Sequence, residues 1–128
     1  MSHSMKNLRD VQDVAPGAGF GDIQEARFAR TDLQAEQTGL AYHVLRPGKR
    51  QGFAHRHHEA EEIFVVLSGT GRMKIDDDVL EVGPMDSIRV APHAARAFEA
   101  GDDPLEILVF GPHYEKDAEL IETEFWTD

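Results

Sequence analysis

The apolar residues of this chain recur in short runs in which hydrophobic and polar positions tend to alternate. Beyond the first two dozen residues, eight such runs follow one another: QEARFARTDL, TGLAYHVLRPG, EEIFVVLSG, TGRMKID, VLEVG, DSIRVAP, RAFEA and LEILVFGP. Each contains β-branched or aromatic residues and is bounded by glycine, proline or aspartate, as strands are. Helical periodicity is hard to find. The pattern therefore predicts an all-β protein, an antiparallel sandwich or barrel.

Two of the boundaries between these runs predict specific turns. The sequence SGTG at 68–71 predicts a tight hairpin, because glycine takes the positive φ that such turns need. The sequence DDD at 76–78 lacks the alternate oxygens and the glycine of a calcium loop. We therefore interpret it as a second, solvated hairpin tip.

The chain of 128 residues is about the length of one domain. Residues 1–24 are rich in glycine, proline and charge and are interpreted as a flexible, irregular arm, and 25–128 as a single domain. The tail EKDAELIETEFWTD is expected to pack its aromatic residues onto the sheet.

Composition narrows the possible partners. Twenty-four acidic and 13 basic residues give a net charge of -11, which repels nucleic acid and anionic membranes. The chain has no cysteine, so disulfides and thiolate chemistry are excluded and any metal must be held by nitrogen and oxygen. With no apolar run long enough for a secretory signal or a membrane span, we expect a soluble, cytoplasmic protein.

Residues 55–62, HRHHEAEE, concentrate three of the seven histidines. Residues two apart in a strand point to the same face, so His55 and His57 can lean toward one ion. A carboxylate from Glu61 or Glu62 would complete the group. If residues 55–62 form one unbroken strand, Glu61 shares the face of the two histidines. A bend at 58–60 would shift the alternation of the strand faces and could bring Glu62 to them instead. The other interpretation is a plain solvated turn that binds no metal. The residues alone leave these alternatives open.

At this point the sequence resembles the cupin superfamily over about residues 38–112. Its first motif, His-x-His, three or four residues, Glu, six residues and Gly, is matched by His55, His57, Glu62 and Gly69. The glycine before the motif is Gly48, one place too early. By this spacing the resemblance favours Glu62 over Glu61 as a ligand.

The second cupin motif resembles GPMDSIRVAPHAARAF, with Gly83 and Pro92 in place. The histidine expected after the proline falls on Arg96, which is a departure from the pattern. A guanidinium has no lone pair to give, so Arg96 cannot replace a metal ligand. A local shift of the APHAAR segment would offer His93 as the fourth ligand instead.

The resemblance implies a double-stranded β-helix, or jelly-roll barrel, of the small single-domain bacterial type. It implies a divalent metal ion, Fe, Mn, Ni or Zn, held in the barrel by His55, His57 and Glu62. Two arrangements are compatible with an arginine at position 96. In the first, Arg96 pairs with an anionic substrate that lies between it and the ion. In the second, the metal site is weak or empty and Arg96 is part of a cationic pocket for an acidic small molecule.

The expected function is metal-dependent chemistry on a small anionic or polar molecule, of the dioxygenase, isomerase or lyase type, with Arg96 and His43 as candidate catalytic residues. His43 is equally compatible with simple packing in the barrel. A non-catalytic sensor or storage barrel is the alternative, and a metal-free, epimerase-like cupin ranks lower. Because EEIFVVLSG and LEILVFGP are apolar on both faces, and because cupins are often dimers, we expect a homodimer.

Overall fold

The chain folds into two antiparallel β-sheets that enclose one core. The computed structural model describes residues 2–121 and 124–128. It contains two 3-10 helical turns (Leu8–Asp10 and Pro16–Ala18) and one α-helical turn, α1 (Arg30–Leu33). The strands are β1 (Gln24–Phe28), β2 (Thr38–Leu45), β3 (Ala54–His57), β4 (Glu62–Ser68), β5 (Gly71–Ile75), β6 (Asp78–Val82), β7 (Ser87–Val90), β8 (Arg96–Ala100), β9 (Leu105–Pro112) and β10 (Ala118–Ile121).

The strand order identifies the topology. One sheet has the order β1-β2-β9-β4-β7 and the other has the order β10-β3-β8-β5-β6. Strands adjacent in sequence therefore often belong to opposite sheets, as in a jelly roll. The predicted all-β jelly-roll barrel is confirmed.

The core lies between the inner faces of the two sheets. In β4 the buried side chains are Phe64 and Val66, whereas Ile63, Val65 and Leu67 point outward and are half-buried. The Phe64 ring packs 5.4 Å from the ring of Phe98 on β8, across the barrel. Burying each such side chain contributes about 1.5–3 kcal/mol. The same alternation places Glu62, two residues before Phe64, on the inner face.

The two predicted turns have different outcomes. Asp76 and Asp77 form the tip of the β5–β6 hairpin, as predicted, since Ile75 pairs with Asp78. The predicted hairpin at 68–71 is wrong, because this turn carries the chain from β4 in one sheet to β5 in the other. Gly69 has a φ of 82°, and a Cβ here would overlap the carbonyl oxygen of Pro104. Glycine is required in either kind of turn, so the sequence does not distinguish them.

The amino-terminal segment lies against β1. Val11 and Ala15 are buried, and the Asp13 carboxylate accepts hydrogen bonds from the backbone N–H groups of Ala15 and Ala26. The boundary at residue 24 stays a prediction. No helix in residues 2–121 and 124–128 has the length and hydropathy that crossing a membrane requires.

Residues 125–128 lie on the outer face of β5 and β8. Trp126 is buried, with the guanidinium groups of Arg50 and Arg72 at 4.5 and 5.2 Å from its ring. Both arginines also contact Glu99 and Asp128. The expected packing of the tail aromatics on the sheet is found at Trp126.

Candidate metal centre

Three side chains with metal-ligating atoms meet inside the barrel. His55 and His57 lie two residues apart on β3 and share its inner face. The chain then leaves β3 and re-enters the barrel wall at Glu62, the first residue of β4. Because this break interrupts the alternation of inward and outward side chains, Glu62 rather than Glu61 faces the histidines.

The distances within this group suit a single ion. Glu62 Oε1 is 3.4 Å from His55 Nε2 and 3.2 Å from His57 Nε2, and one donor atom from each residue lies within 4.8 Å of the others. Bonds of about 2.0–2.2 Å to a common ion produce separations of this size. Glu62 Oε1 is buried with no hydrogen-bond partner among the described residues. Two imidazoles and one carboxylate therefore fit a divalent metal ion.

Glu61 has a different environment from Glu62. Its side chain is 53% exposed and pairs with Arg89 at 3.0 Å. Its neighbour Glu62 is only 16% exposed. The structure therefore brings Glu62, and not Glu61, to the two histidines.

Asp117 holds one of these histidines in place. Its Oδ2 lies 3.0 Å from Nδ1 of His57, and its carboxylate also accepts hydrogen bonds from the backbone N–H groups of Glu59 and Ala60. A carboxylate on the far nitrogen fixes the tautomer and turns Nε2 toward the other ligands. Sequence reasoning missed Asp117, since it lies 60 residues from His57 and belongs to no motif.

The electrostatics of the group keep Glu62 ionised. Burial by itself raises the pKa of Glu62, but the close contacts and charge interactions with His55 and His57 outweigh it and lower the pKa to about 2. The contact between His57 Nε2 and the Glu62 carboxylate, at 3.2 Å, is also the main reason that the pKa of His57 is raised. Glu62 is therefore a carboxylate, the form that binds a metal, at neutral pH.

Arg96 lies at the back of this group. It is 1% exposed, its Nη1 and Nη2 donate to the carbonyls of Pro92 and Ala91, and Nη2 is 3.8 Å from Glu62 Oε1. Burial lowers the pKa of the Arg96 guanidinium, and the nearby Glu62 opposes that effect. Arg96 is not among the residues that line the cavity described below.

The two other predicted residues occupy different places. His93 is exposed in the turn before β8 and is outside the His55, His57 and Glu62 group. His43 is on the inner face of β2, with its ring 5.6 Å from the Phe28 ring and its Nδ1 buried without a hydrogen-bond partner among the described residues. Burial, with the charge of His55, lowers the pKa of His43 to about 4, so its imidazole is neutral at pH 7.

A cavity of about 600 Å³ opens onto the group. His43, His55, His57 and Glu62 contribute part of its polar lining, together with residues such as Gln24, Gln51 and Asp117. The volume is in the range of small-molecule sites. An ion bound by the three ligands would face a space in which a second molecule has room.

Comparison with known proteins identifies the type of barrel. Residues 41–111 match the family model described as the cupin domain. The chain is 35% identical over 71 residues to an uncharacterised protein of Methanocaldococcus jannaschii, a match that covers 53% of this chain and 57% of that one. The chain thus spans little more than half of this relative.

Solved structures share the fold at low sequence identity. A cupin protein from Bacteroides fragilis superposes with a TM-score of 0.71 and 21% identity, covering 99% of this chain and 92% of the other. The polyketide cyclase RemF from Streptomyces resistomycificus gives a TM-score of 0.74 and 20% identity, covering 94% and 86%. At these identities the likeness concerns the fold alone.

Proposed function

Because the chain belongs to the cupin family, we propose that it binds one divalent metal ion, Fe, Mn, Ni or Zn, through His55, His57 and Glu62 and acts on a small molecule in the adjoining cavity. The observation that carries this proposal is the convergence of the three donor atoms within 4.8 Å of one another. These ligands leave several coordination positions for water or a substrate.

The roles of the side chains follow from their contacts. A bound ion would supply Lewis-acid chemistry to an oxygen of the ligand. Asp117 holds the His57 ring so that Nε2 stays directed at the ion. His43, neutral at pH 7, offers a hydrogen bond to a ligand in the cavity, and this contact is the role we propose for it.

For Arg96 we propose a positioning role. Its guanidinium is buried and held by two carbonyls, so it acts on Glu62 and not directly on a ligand. As a fixed cation behind the carboxylate, it keeps Glu62 ionised and weakens the hold on a divalent ion. The site would then bind its metal less tightly than a four-ligand site.

The reaction class that we propose is that of a dioxygenase, isomerase or lyase, on a substrate with an anionic oxygen donor. The alternative is a sensor or storage barrel that binds the same kind of molecule without turnover. Turnover of a bound compound by the metal-loaded protein favours the first, and tight binding without product favours the second. We also propose a cytoplasmic homodimer, to which the half-buried outer face of β4 would contribute.

One contact favours a metal-free alternative. An epimerase-like cupin needs a histidine oriented by a carboxylate and a tyrosine acid. His57 and Asp117 form such a pair, and Tyr114 lines the cavity. Activity that persists after complete removal of metal would favour this second candidate.

Elemental analysis by plasma mass spectrometry tests the metal proposal. Wild-type protein loaded with each of the four metals should retain about one ion per chain. His55→Ala and Glu62→Gln should lose it. The matched controls His58→Ala and Glu61→Gln, on exposed neighbours, should keep it. Wild-type protein that retains none of the four metals would overturn the proposal.

A further inference from the structure

The walls of the cavity are mainly apolar, although the sequence pointed to a polar ligand. Five of the seven phenylalanines of the chain line it: Phe20, Phe28, Phe53, Phe64 and Phe110. The side chain of Leu120, opposite His55 in the β10–β3 pairing, adds to the same wall. A space that needed only to hold a small polar anion would not need this many rings.

Several of these side chains are exposed to solvent at the mouth of the cavity. Phe28 is 56% exposed, Phe53 is 43% exposed and Leu120 is 54% exposed. Large apolar groups gathered in one place mark a surface that binds something. Since they surround a concave site of ligand size, the group that covers them is part of a small molecule.

One wall is built with a fixed ring. Phe20 packs on the backbone of Gly52, where a Cβ would overlap the ring, and its ring centroid lies 5.6 Å from that of Phe53. Gly52 N–H also donates to the side chain of Gln24. The aromatic wall is therefore held by the barrel on one side and by the amino-terminal segment on the other.

The candidate metal ligands are grouped in one part of the lining, which also includes the polar side chains of Gln24, Arg30, Thr31, Gln51, Tyr114 and Lys116. Donor atoms of His55, His57 and Glu62 lie within 4.8 Å of one another. Of the five phenylalanines that line the cavity, Phe28, Phe53 and Phe110 are exposed to solvent. A molecule that satisfies both parts has an oxygen-donor head and an apolar body. Rings suit such walls because aromatic pairs are favourable beyond the area that they bury.

We propose that the ligand of this cavity is a molecule with a flat, apolar, ring-bearing body and an acidic oxygen-donor head, such as a hydroxy-substituted aromatic acid. The head would lie at His55, His57 and Glu62, and the body between Phe20, Phe53 and Phe28. The orientation of the head rests on the metal site proposed above, whereas the apolar body is argued from the walls alone.

Calorimetric titration of zinc-loaded protein with three acids tests this assignment. The acids 3-hydroxypropanoate, salicylate and 1-hydroxy-2-naphthoate share one pair of oxygen donors and differ in their apolar body. Affinity should rise along the series, by about tenfold or more from first to last, because more apolar surface is buried. Phe53→Ala should weaken naphthoate binding and leave 3-hydroxypropanoate unchanged, which separates burial from intrinsic chelating strength.

A matched control is Phe125→Ala, whose ring packs near Lys74 and away from the cavity. It should leave all three affinities unchanged. Equal affinity for the three acids, or an equal loss for all three in Phe53→Ala, would overturn the assignment. Zinc content measured on the same samples separates the two proposals. If the protein prefers the acids with rings but retains no zinc, the apolar cavity is supported and the metal site is contradicted. If it retains zinc but binds the three acids equally, the metal site is supported and the apolar cavity is contradicted.

Discussion

His55 and Arg96 lie directly opposite each other in the pairing of β3 with β8. Side chains at opposed positions share one face of a sheet and are close neighbours. Residue 96 therefore points toward the metal group from the strand beside it, as a fourth ligand would. Here that position carries a cation, which donates to the carbonyls of Ala91 and Pro92.

Arg96→His should convert the centre into a four-ligand site. The change removes a positive charge and adds a nitrogen donor, so metal affinity should rise by at least about tenfold. Competition with a chromophoric chelator measures it. The metal-free variant should be less stable than wild type by about 1–3 kcal/mol, because buried hydrogen bonds are lost. Arg89→His, at an exposed arginine, is the control, and unchanged affinity in Arg96→His would contradict the geometry.

Asp117→Asn should weaken metal binding without unfolding the chain. An asparagine oxygen at the Oδ1 position can still accept from the backbone N–H of Glu59, but the amide group that replaces Oδ2 accepts neither from the backbone N–H of Ala60 nor from His57 Nδ1. Changes of this kind lower metal affinity by about 10–100-fold. The same chelator competition measures the loss. Glu119→Gln, which breaks the surface pair with Arg56, should have no effect, and equal losses in both variants would refute the role of Asp117.

Acidification should release the carboxyl-terminal tail before the barrel unfolds. Burial raises the pKa of Glu99, but hydrogen bonds from Arg50 and Arg72 outweigh it and hold the pKa below its usual value. A carboxylate with a lowered pKa stabilises the fold above its unfolded-state pKa of about 4.3, and this contribution disappears as the pH falls through the folded-state value. Hydrogen bonding to Arg72 likewise lowers the pKa of Asp128.

Trp126 is the only tryptophan in the chain, so its fluorescence reports the release. As the pH falls below about 4.3, its emission should shift to the red while the far-ultraviolet circular dichroism of the barrel persists. In Glu99→Gln the emission should already be shifted at neutral pH and should change less with acid. The exposed carboxylate of Glu81 provides the control variant, Glu81→Gln. Simultaneous loss of both signals in wild type would show that the tail is not a separate unit.

Gly52→Ala should displace the Phe20 ring. The added Cβ overlaps that ring, and overpacking of this kind lowers the free energy of unfolding by about 1–3 kcal/mol. Gly17→Ala is a matched control, because a Cβ there has open space. Urea denaturation compares the two variants. Equal denaturation midpoints would mean that Phe20 moves freely and does not form a fixed wall.

The parts of the site that depend on local spacing were predictable. The two-residue period of a strand places His55 beside His57, and the cupin spacing selects Glu62. The alternation of side chains along a strand did not by itself decide between Glu61 and Glu62, because which of them faces inward depends on where β3 ends. The structure ends β3 at His57 and starts β4 at Glu62, and a bend of this size leaves no mark in the hydrophobic pattern.

The parts that depend on distant contacts were not predictable. Asp117 reaches His57 across 60 residues, and Phe20 meets Phe53 from a segment interpreted as a flexible arm. The cation at position 96 was evident in the sequence as a departure from the motif. The burial of Arg96 against the carbonyls of Ala91 and Pro92 depends on the conformation of the preceding turn. The hydrophobic pattern of the sequence does not predict that conformation.

Strand β10 is at the edge of its sheet and, within the described residues, pairs with β3 alone, and Asp117 immediately precedes it. Short edge strands open locally at a small fraction of the cost of global unfolding. Each opening of β10 withdraws Asp117 from His57, so an ion held by His57 opposes the opening by mass action. The backbone amides of residues 118–121 will therefore exchange with deuterium more slowly in the metal-loaded protein. Metal binding at the centre would thus be measurable as slower amide exchange in a strand that supplies none of the ligands.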